Sequence, residues 1–209
     1  EAPKPAIKNN GLIIATKKSL ISSGTEKMLI DFGKANYFDK ARQQPEKVKK
    51  ALDKMKTDGV FSTVNSIRSR LDEPLSLGYC NAGIVLETTN NKYKIGDRVA
   101  SNGPHSEIVS VSNNLCAKIP ENVTYESASY TVMGSISLQG IRLLDPGIGE
   151  NIVVMGLGLV GLLSVQILRA NGCQVLGVDY NSSRCNLAKS FGAEVLNLSD
   201  EADLYDTAD

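Results

Sequence analysis

The spacing of apolar and polar residues changes period several times along the chain. Gly11–Ser19 mixes apolar and polar residues in a pattern compatible with a strand, and Leu20–Glu26 (LISSGTE) reads as a hydroxyl-rich turn. Asp31–Ala41 predicts a short helix. Pro45–Lys56 predicts an amphipathic one, with Val48, Ala51, Leu52 and Met55 on one face and lysines on the other. Val60–Leu71 predicts a second helix through Val60, Val64, Ile67 and Leu71, and this lysine-rich pair reads as a solvated hairpin before a phosphate site. Short strands are then expected at Ala82–Glu87, Arg98–Ala100, Glu107–Val111 and Cys116–Ile119, with a turn at Ile95–Asp97. Tyr125–Leu144 predicts one continuous helix, stopped by Asp145-Pro146-Gly147.

The most informative stretch follows, Ile152–Asp179 (IVVMGLGLVGLLSVQILRANGCQVLGVD). Ile152–Met155 is an apolar run suited to a buried parallel strand. Gly156, Gly158 and Gly161 then stand in G-x-G-x-x-G spacing, Leu162–Ala170 continues as an apolar helical segment, and Cys173–Val178 returns as a strand ending at Asp179. Gly156 permits the tight turn, Gly158 lets backbone approach a diphosphate, and Gly161 lets helix and strand pack closely. The bend Gly156-Leu157-Gly158-Leu159-Val160-Gly161 would hold the diphosphate at a helix start, where free N–H groups and the positive dipole end favour an anion. Asp179 lies 18 residues beyond Gly161, in reach of an adenosine ribose 2′-hydroxyl, and would repel a 2′-phosphate, so NAD is expected over NADP. Two alternatives share part of the pattern: a glycine-rich turn that binds no nucleotide, and a methyltransferase glycine loop. Beyond Asp179, Ser182–Phe191 predicts a helix and Glu194–Leu198 a third strand.

Composition narrows the picture. The chain has 209 residues, enough for one large or two small domains, with 23 basic and 23 acidic residues. A balanced charge gives nucleic acid no basic surface, and no apolar stretch is long enough to span a bilayer. Cys80, Cys116, Cys173 and Cys185 are scattered with no C-x-x-C pair, as expected of reduced thiols in a cytoplasmic protein. Three nucleotide-domain strands can be counted where a full dinucleotide fold has about six. Glu1-Ala-Pro-Lys-Pro begins without a methionine, so truncation is expected at both ends, with a sheet edge and apolar faces left open at the far one.

The order of parts resembles the medium-chain dehydrogenase/reductase superfamily, the alcohol dehydrogenase-like proteins. The resemblance rests on LISSGTE, PLSLGYCNAGIVLE, KIGDRVA, GPHSEIVSV, AKIPENVTYESA and GLGLVG. More narrowly, LISSGTEKMLIDFGKA, KARQQPEKV, LGYCNAG and ASNGPH are similar to bi-domain oxidoreductases, in which a Gfo/Idh/MocA-type domain follows. It implies an α/β protein: a GroES-like β-barrel domain over residues 1–124, with a helical insertion at about 31–72, then the first half of a Rossmann doubly wound parallel sheet over 125–209. It also implies a homo-oligomer with a small carbonyl or alcohol substrate, sugar-related, and a fused C-terminal oxidoreductase domain.

Departures from the zinc enzymes bear on the chemistry. In the resemblance the three catalytic ligand positions fall on Ser23, Tyr79 and Val132, Cys80 replaces the acid after the second, and no four-cysteine lobe follows Gly96-Asp97-Arg98-Val99. Serine, tyrosine and valine are not a Zn²⁺ ligand set, so neither catalytic nor structural zinc is expected. Thr25 matches a proton-relaying hydroxyl in the same resemblance. Tyr79 offers a phenol that either donates a proton as a general acid or fills the space left by metal and water. Cys80 reads as a buried thiol before a nucleophile. His105, the chain's one histidine, either holds backbone near the cleft or transfers a proton. Arg184 either lies near the adenosine ribose or is an exposed helix-start residue. The expected function is zinc-independent, NAD(H)-dependent hydride transfer, with a non-catalytic NAD(H)-binding module as the alternative.

Overall fold

The computed structural model describes residues 3–34 and 76–199. The helices expected at Pro45–Lys56 and Val60–Leu71, with most of the proposed insertion, lie outside the described residues. The chain divides into two compact units, residues 21–78 and residues 1–20 with 79–209.

In the smaller unit, α1 (Ser23–Lys34) starts inside the segment expected to be a turn. The Glu26 side chain explains the difference. Its Oε1 accepts the Ser22 N–H at 2.8 Å while its own N–H donates to the Ser22 carbonyl at 2.9 Å, closing the first helical turn from both sides.

The larger unit holds two sheets. β1 (Gly11–Ser19), β2 (Asn81–Thr88), β3 (Arg98–Ser101), β4 (Ile108–Ser112) and β5 (Cys116–Lys118) form a curled antiparallel half-barrel in the order β4-β1-β2-β3-β5. Leu12, Ile14, Val85, Tyr93, Val99, Val109 and Val111 form its core. Register shifts between Ile13 and Ile14 and between Thr16 and Lys18 bend β1 across β2. Gly83 serves this crossing, because a Cβ there would stand 2.2 Å from the Ala15 carbonyl oxygen.

The helix expected over Tyr125–Leu144 is two helices, α2 (Tyr125–Ser129) and α3 (Thr131–Leu144), joined at Tyr130. Hydroxyl groups account for the break. Ser129 Oγ donates to the Glu126 carbonyl and Thr131 Oγ1 to the Ala128 carbonyl, both at 2.7 Å, while the Tyr130 N–H turns to Ser127 O at 3.2 Å. Side-chain donors thus take carbonyls the helix ladder would use. Arg98 fastens this entry to β3: its guanidinium donates to the carbonyls of Pro120, Glu121 and Val123 and lies 4.7 Å from the centre of the Tyr125 ring.

β6 (Asn151–Met155), β7 (Gln174–Asp179) and β8 (Glu194–Asn197) form a parallel sheet in that order, connected by α4 (Leu159–Ala170) and α5 (Ser182–Ser190). Leu157, Val165, Leu168, Cys173, Val175, Cys185 and Ala188 pack as one core beneath the helices. The sequence run Ile152–Met155 reads as a buried parallel strand, but Val153 is 58% exposed and Met155 81%. Ile152 and Val154 face the core, whereas the opposite face of β6 is open among the described residues. The α/β class with a GroES-like and a Rossmann part is thereby observed.

Candidate active site

The glycine bend is built from β6, α4 and β7. Gly156 has φ = 88°, a region glycine reaches without strain, and its N–H donates to Val178 O at 2.8 Å, extending the β6–β7 ladder. Leu157 then turns inward and is fully buried. α4 begins at once, three residues before the helical segment read from sequence: Gly158 is its N-cap, and the Leu162 N–H donates to Gly158 O at 2.9 Å. Gly158 offers no side chain to cap that end, so the first N–H groups of α4, at Leu159, Val160 and Gly161, lack a side-chain cap. A Cβ at Gly161 would lie 1.9 Å from Gly156 O, which ties the approach of helix to bend to a residue without a side chain.

Asp179 closes the bend from the end of β7. Its Oδ2 accepts the Leu157 N–H at 2.7 Å and its Oδ1 accepts the Asn181 N–H at 2.8 Å. The Arg184 guanidinium stands 3.7 Å from Oδ2, and the Asp179 side chain is only 10% exposed. Burial opposes its ionisation, yet the N–H bonds from Asn181 and Leu157, the Arg184 charge and the Tyr180 N–H outweigh that and hold the carboxyl below its ordinary range. Asn181 caps α5 through its side chain, which accepts the Arg184 N–H at 3.1 Å. Leu157 and Asn181 therefore set where the acid points, and Gly177 makes room: a Cβ there would meet Leu157 Cδ2 at 2.9 Å. Of these, only the Asn181 cap carries a sequence signal, an asparagine just ahead of a helix.

The other candidates fall in two places. Ser23 and Thr25 stand in the first turn of α1, in the smaller unit. In the larger unit Tyr79 is half-buried and its hydroxyl donates to Met133 Sδ of α3 at 3.4 Å, while Cys80 is buried at the entry to β2. Met133, beside the position read as Val132, is the partner that sequence reading missed. His105 Nδ1 lies 3.0 Å from Ser19 Oγ at the end of β1. One turn beyond Met133, Ser137 Oγ is 3.1 Å from Val160 O and ties α3 to the first turn of α4. Among the described residues no group of three or more His, Cys, Asp or Glu side chains is placed to hold a metal ion. Ser23, Tyr79 and Val132 do not supply the donors that zinc takes.

No family model matches the chain. It is 32% identical over 124 residues to D-guloside 3-dehydrogenase of Escherichia coli, covering 56% of this chain and 35% of that protein. It is 34% identical over 91 residues to bovine sorbitol dehydrogenase, covering 43% of this chain and 26% of the relative. Among solved structures, galactitol-1-phosphate dehydrogenase of Escherichia coli superposes with a TM-score of 0.69 at 19% identity, covering 95% of this chain and 57% of that one. The Escherichia coli quinone oxidoreductase complexed with NADPH superposes at 0.65 and 21% identity, covering 96% and 54%. These relatives are medium-chain dehydrogenases/reductases. The chain spans about a third of the first curated relatives it matches and just over half of the solved chains.

Proposed function

We propose that this chain carries the GroES-like domain (residues 1–124) and the first half of the dinucleotide-binding domain (125–209) of a zinc-independent, NAD(H)-dependent oxidoreductase that moves hydride to or from a carbonyl or alcohol carbon of a sugar-related substrate. The observation that carries the reading is the Asp179 carboxylate, fixed by the Leu157 and Asn181 N–H groups beside an α4 N-terminus without a side-chain cap. The chemistry of that donor set fits a dinucleotide. N–H groups of Leu159 and Val160 at the helix start suit the diphosphate, and the remaining lone pairs of Asp179 suit ribose hydroxyls. When bound, the nicotinamide supplies or accepts the hydride. A 2′-phosphate would meet an ionised carboxylate, which favours NAD despite the NADPH named for one structural neighbour. The kinship to guloside and sorbitol dehydrogenases supports the substrate class.

For the protein's own residues, Tyr79 is the proton donor to the substrate oxygen in this reading, with Thr25, Ser23 and His105 as the hydroxyl and imidazole groups serving proton exchange. Arg184, beside Asp179, is the cation near the adenosine ribose in this reading and adds its charge to the Asn181 and Leu157 N–H bonds that hold the Asp179 carboxyl low. The reading also places the protein in the cytoplasm as a homo-oligomer, with a further oxidoreductase domain in the same polypeptide.

A second reading has one observation in its favour. The Tyr79 hydroxyl is already turned to the Met133 thioether, as in a phenol that fills space, which suits a module that binds NAD(H) without turning it over. Chelator-treated protein mixed with NADH and a panel of sugar-derived aldehydes and ketones separates the two. Decay of the NADH absorbance supports the enzyme; tight binding without decay across the panel supports the module.

A further inference from the structure

Pairing between β1 and β4 ends at Ala15–Ile108, yet the loop before β4 stays on β1 for several residues more. Thr16 holds it twice: its N–H donates to Glu107 O at 2.8 Å and its hydroxyl donates to Ser106 O at 2.5 Å. The same Thr16 hydroxyl accepts Asn81 Nδ2–H at 2.7 Å. Asn81, 1% exposed, turns its carbonyl to Ser101, whose Oγ lies 3.4 Å away and is itself 3.3 Å from the Gly103 N–H. The amide of Asn81 thus bridges both stems of the loop Asn102–Glu107, one through Ser101 and one through Thr16. Gly103 seats the loop on β4, since a Cβ there would lie 2.8 Å from Val109 Cγ2. At its tip His105 reaches Ser19, which pairs across the sheet with Asn81 itself.

The geometry points to Asn81, acting through Thr16 and Ser101, as the positioning residue that fixes the His105 loop against the end of β1 at Ser19, opposite the start of β2. An asparagine suits the role because its amide donates on one side and accepts on the other, so one buried side chain satisfies two hydroxyls at once. The antiparallel sheet needs none of these side chains for its backbone ladder. A polar group this deep would otherwise give way to an apolar one. The role rests on the proposed reading of the His105 loop as part of the cleft, yet the loop's geometry can be followed without cofactor or substrate.

His105 is the chain's one histidine, so its imidazole gives a single Hε1–Cε1 signal in a ¹³C-edited NMR spectrum. The probe is Thr16→Val, which deletes the linking hydroxyl at nearly constant volume, alongside Thr16→Ser, which keeps it, and Ser101→Ala at the other stem. Ser19→Ala, the direct neighbour, calibrates the response. At fixed pH the His105 signal is expected to move by more than its linewidth in Thr16→Val and Ser101→Ala, and to return to the native position in Thr16→Ser. A native signal in both deletions, while Ser19→Ala shifts it, would overturn the role, as would a Thr16→Ser signal displaced as far as that of Thr16→Val. Should Thr16→Val fail to fold, the Ser101→Ala signal decides the same way.

Discussion

Gly161→Ala is the sharpest perturbation the nucleotide bend offers. The added methyl would start 1.9 Å from the Gly156 carbonyl oxygen and 3.0 Å from its carbon, where a real Cβ essentially never comes closer than 3.0 Å. The obstacle is backbone, so no rotamer change relieves it, and α4 must retreat from β6 by about 1 Å. That movement opens the packing of Leu157 and Val165 and loosens the Leu157 amide on Asp179. Overpacking of this kind costs about 2–3 kcal/mol, which for a chain of this size lowers Tm by about 5–10 °C. Gly140→Ala is the internal control: Gly140 is exposed in α3 with nothing within 4 Å of its Cβ position, so helix propensity alone stabilises by up to ~1 kcal/mol. Thermal unfolding by circular dichroism reads both variants. Equal Tm values for the two, or a Gly161→Ala chain as stable as wild type, would refute the close approach of helix and bend.

Asp179→Ala removes the acceptor of two backbone N–H groups and is expected to cost about 1.5–3 kcal/mol of loop stability, weakening NADH and narrowing its advantage over NADPH in a fluorescence titration. Unchanged affinity for both would remove Asp179 from the site. Acid should destabilise the chain through the same group and through Asp97, whose carboxyl is held low by its hydrogen bond to Lys118 and by the Lys94 N–H. Both contribute fully above the ordinary carboxylate range and lose that contribution as pH falls through their depressed values, so urea midpoints should drop from about pH 5 downward; a midpoint that rises on acidification contradicts this. Arg98→Met keeps the bulk of the side chain but frees the carbonyls of Pro120, Glu121 and Val123 and the Tyr125 ring, for an expected loss of about 2 kcal/mol in urea unfolding. No loss would show that Arg98 does not fasten the α2 entry.

Local signals carried most of the elements. β1 has the bounds read from sequence, and β6, β7 and β8 fall within a residue or so of theirs, because alternation and apolar runs between glycine turns are read from neighbours alone. The placing of the three glycines between β6 and α4 and of Asp179 at the end of β7 follows from the same local pattern, since the motif fixes their spacing. Misreadings occurred where a side chain competed with the backbone. Glu26 turned a hydroxyl-rich turn into the first turn of α1, and Ser129 with Thr131 divided one helix into two. Contacts spanning many residues left no trace in the pattern. Met133 meets Tyr79 from a helix 54 residues on, and the Leu157 N–H waits on an acid 22 residues away. The exposure of Met155 was equally hidden, because apolar character does not tell which face of a strand is covered.

A calorimetric titration of the chelator-treated chain with NADH and NADPH in parallel tests the account at its centre. Saturable, metal-independent binding of NADH that exceeds NADPH, and that weakens in Asp179→Ala, is the predicted result. No heat from either dinucleotide, tighter binding of NADPH, or binding that returns only when Zn²⁺ is restored would contradict it.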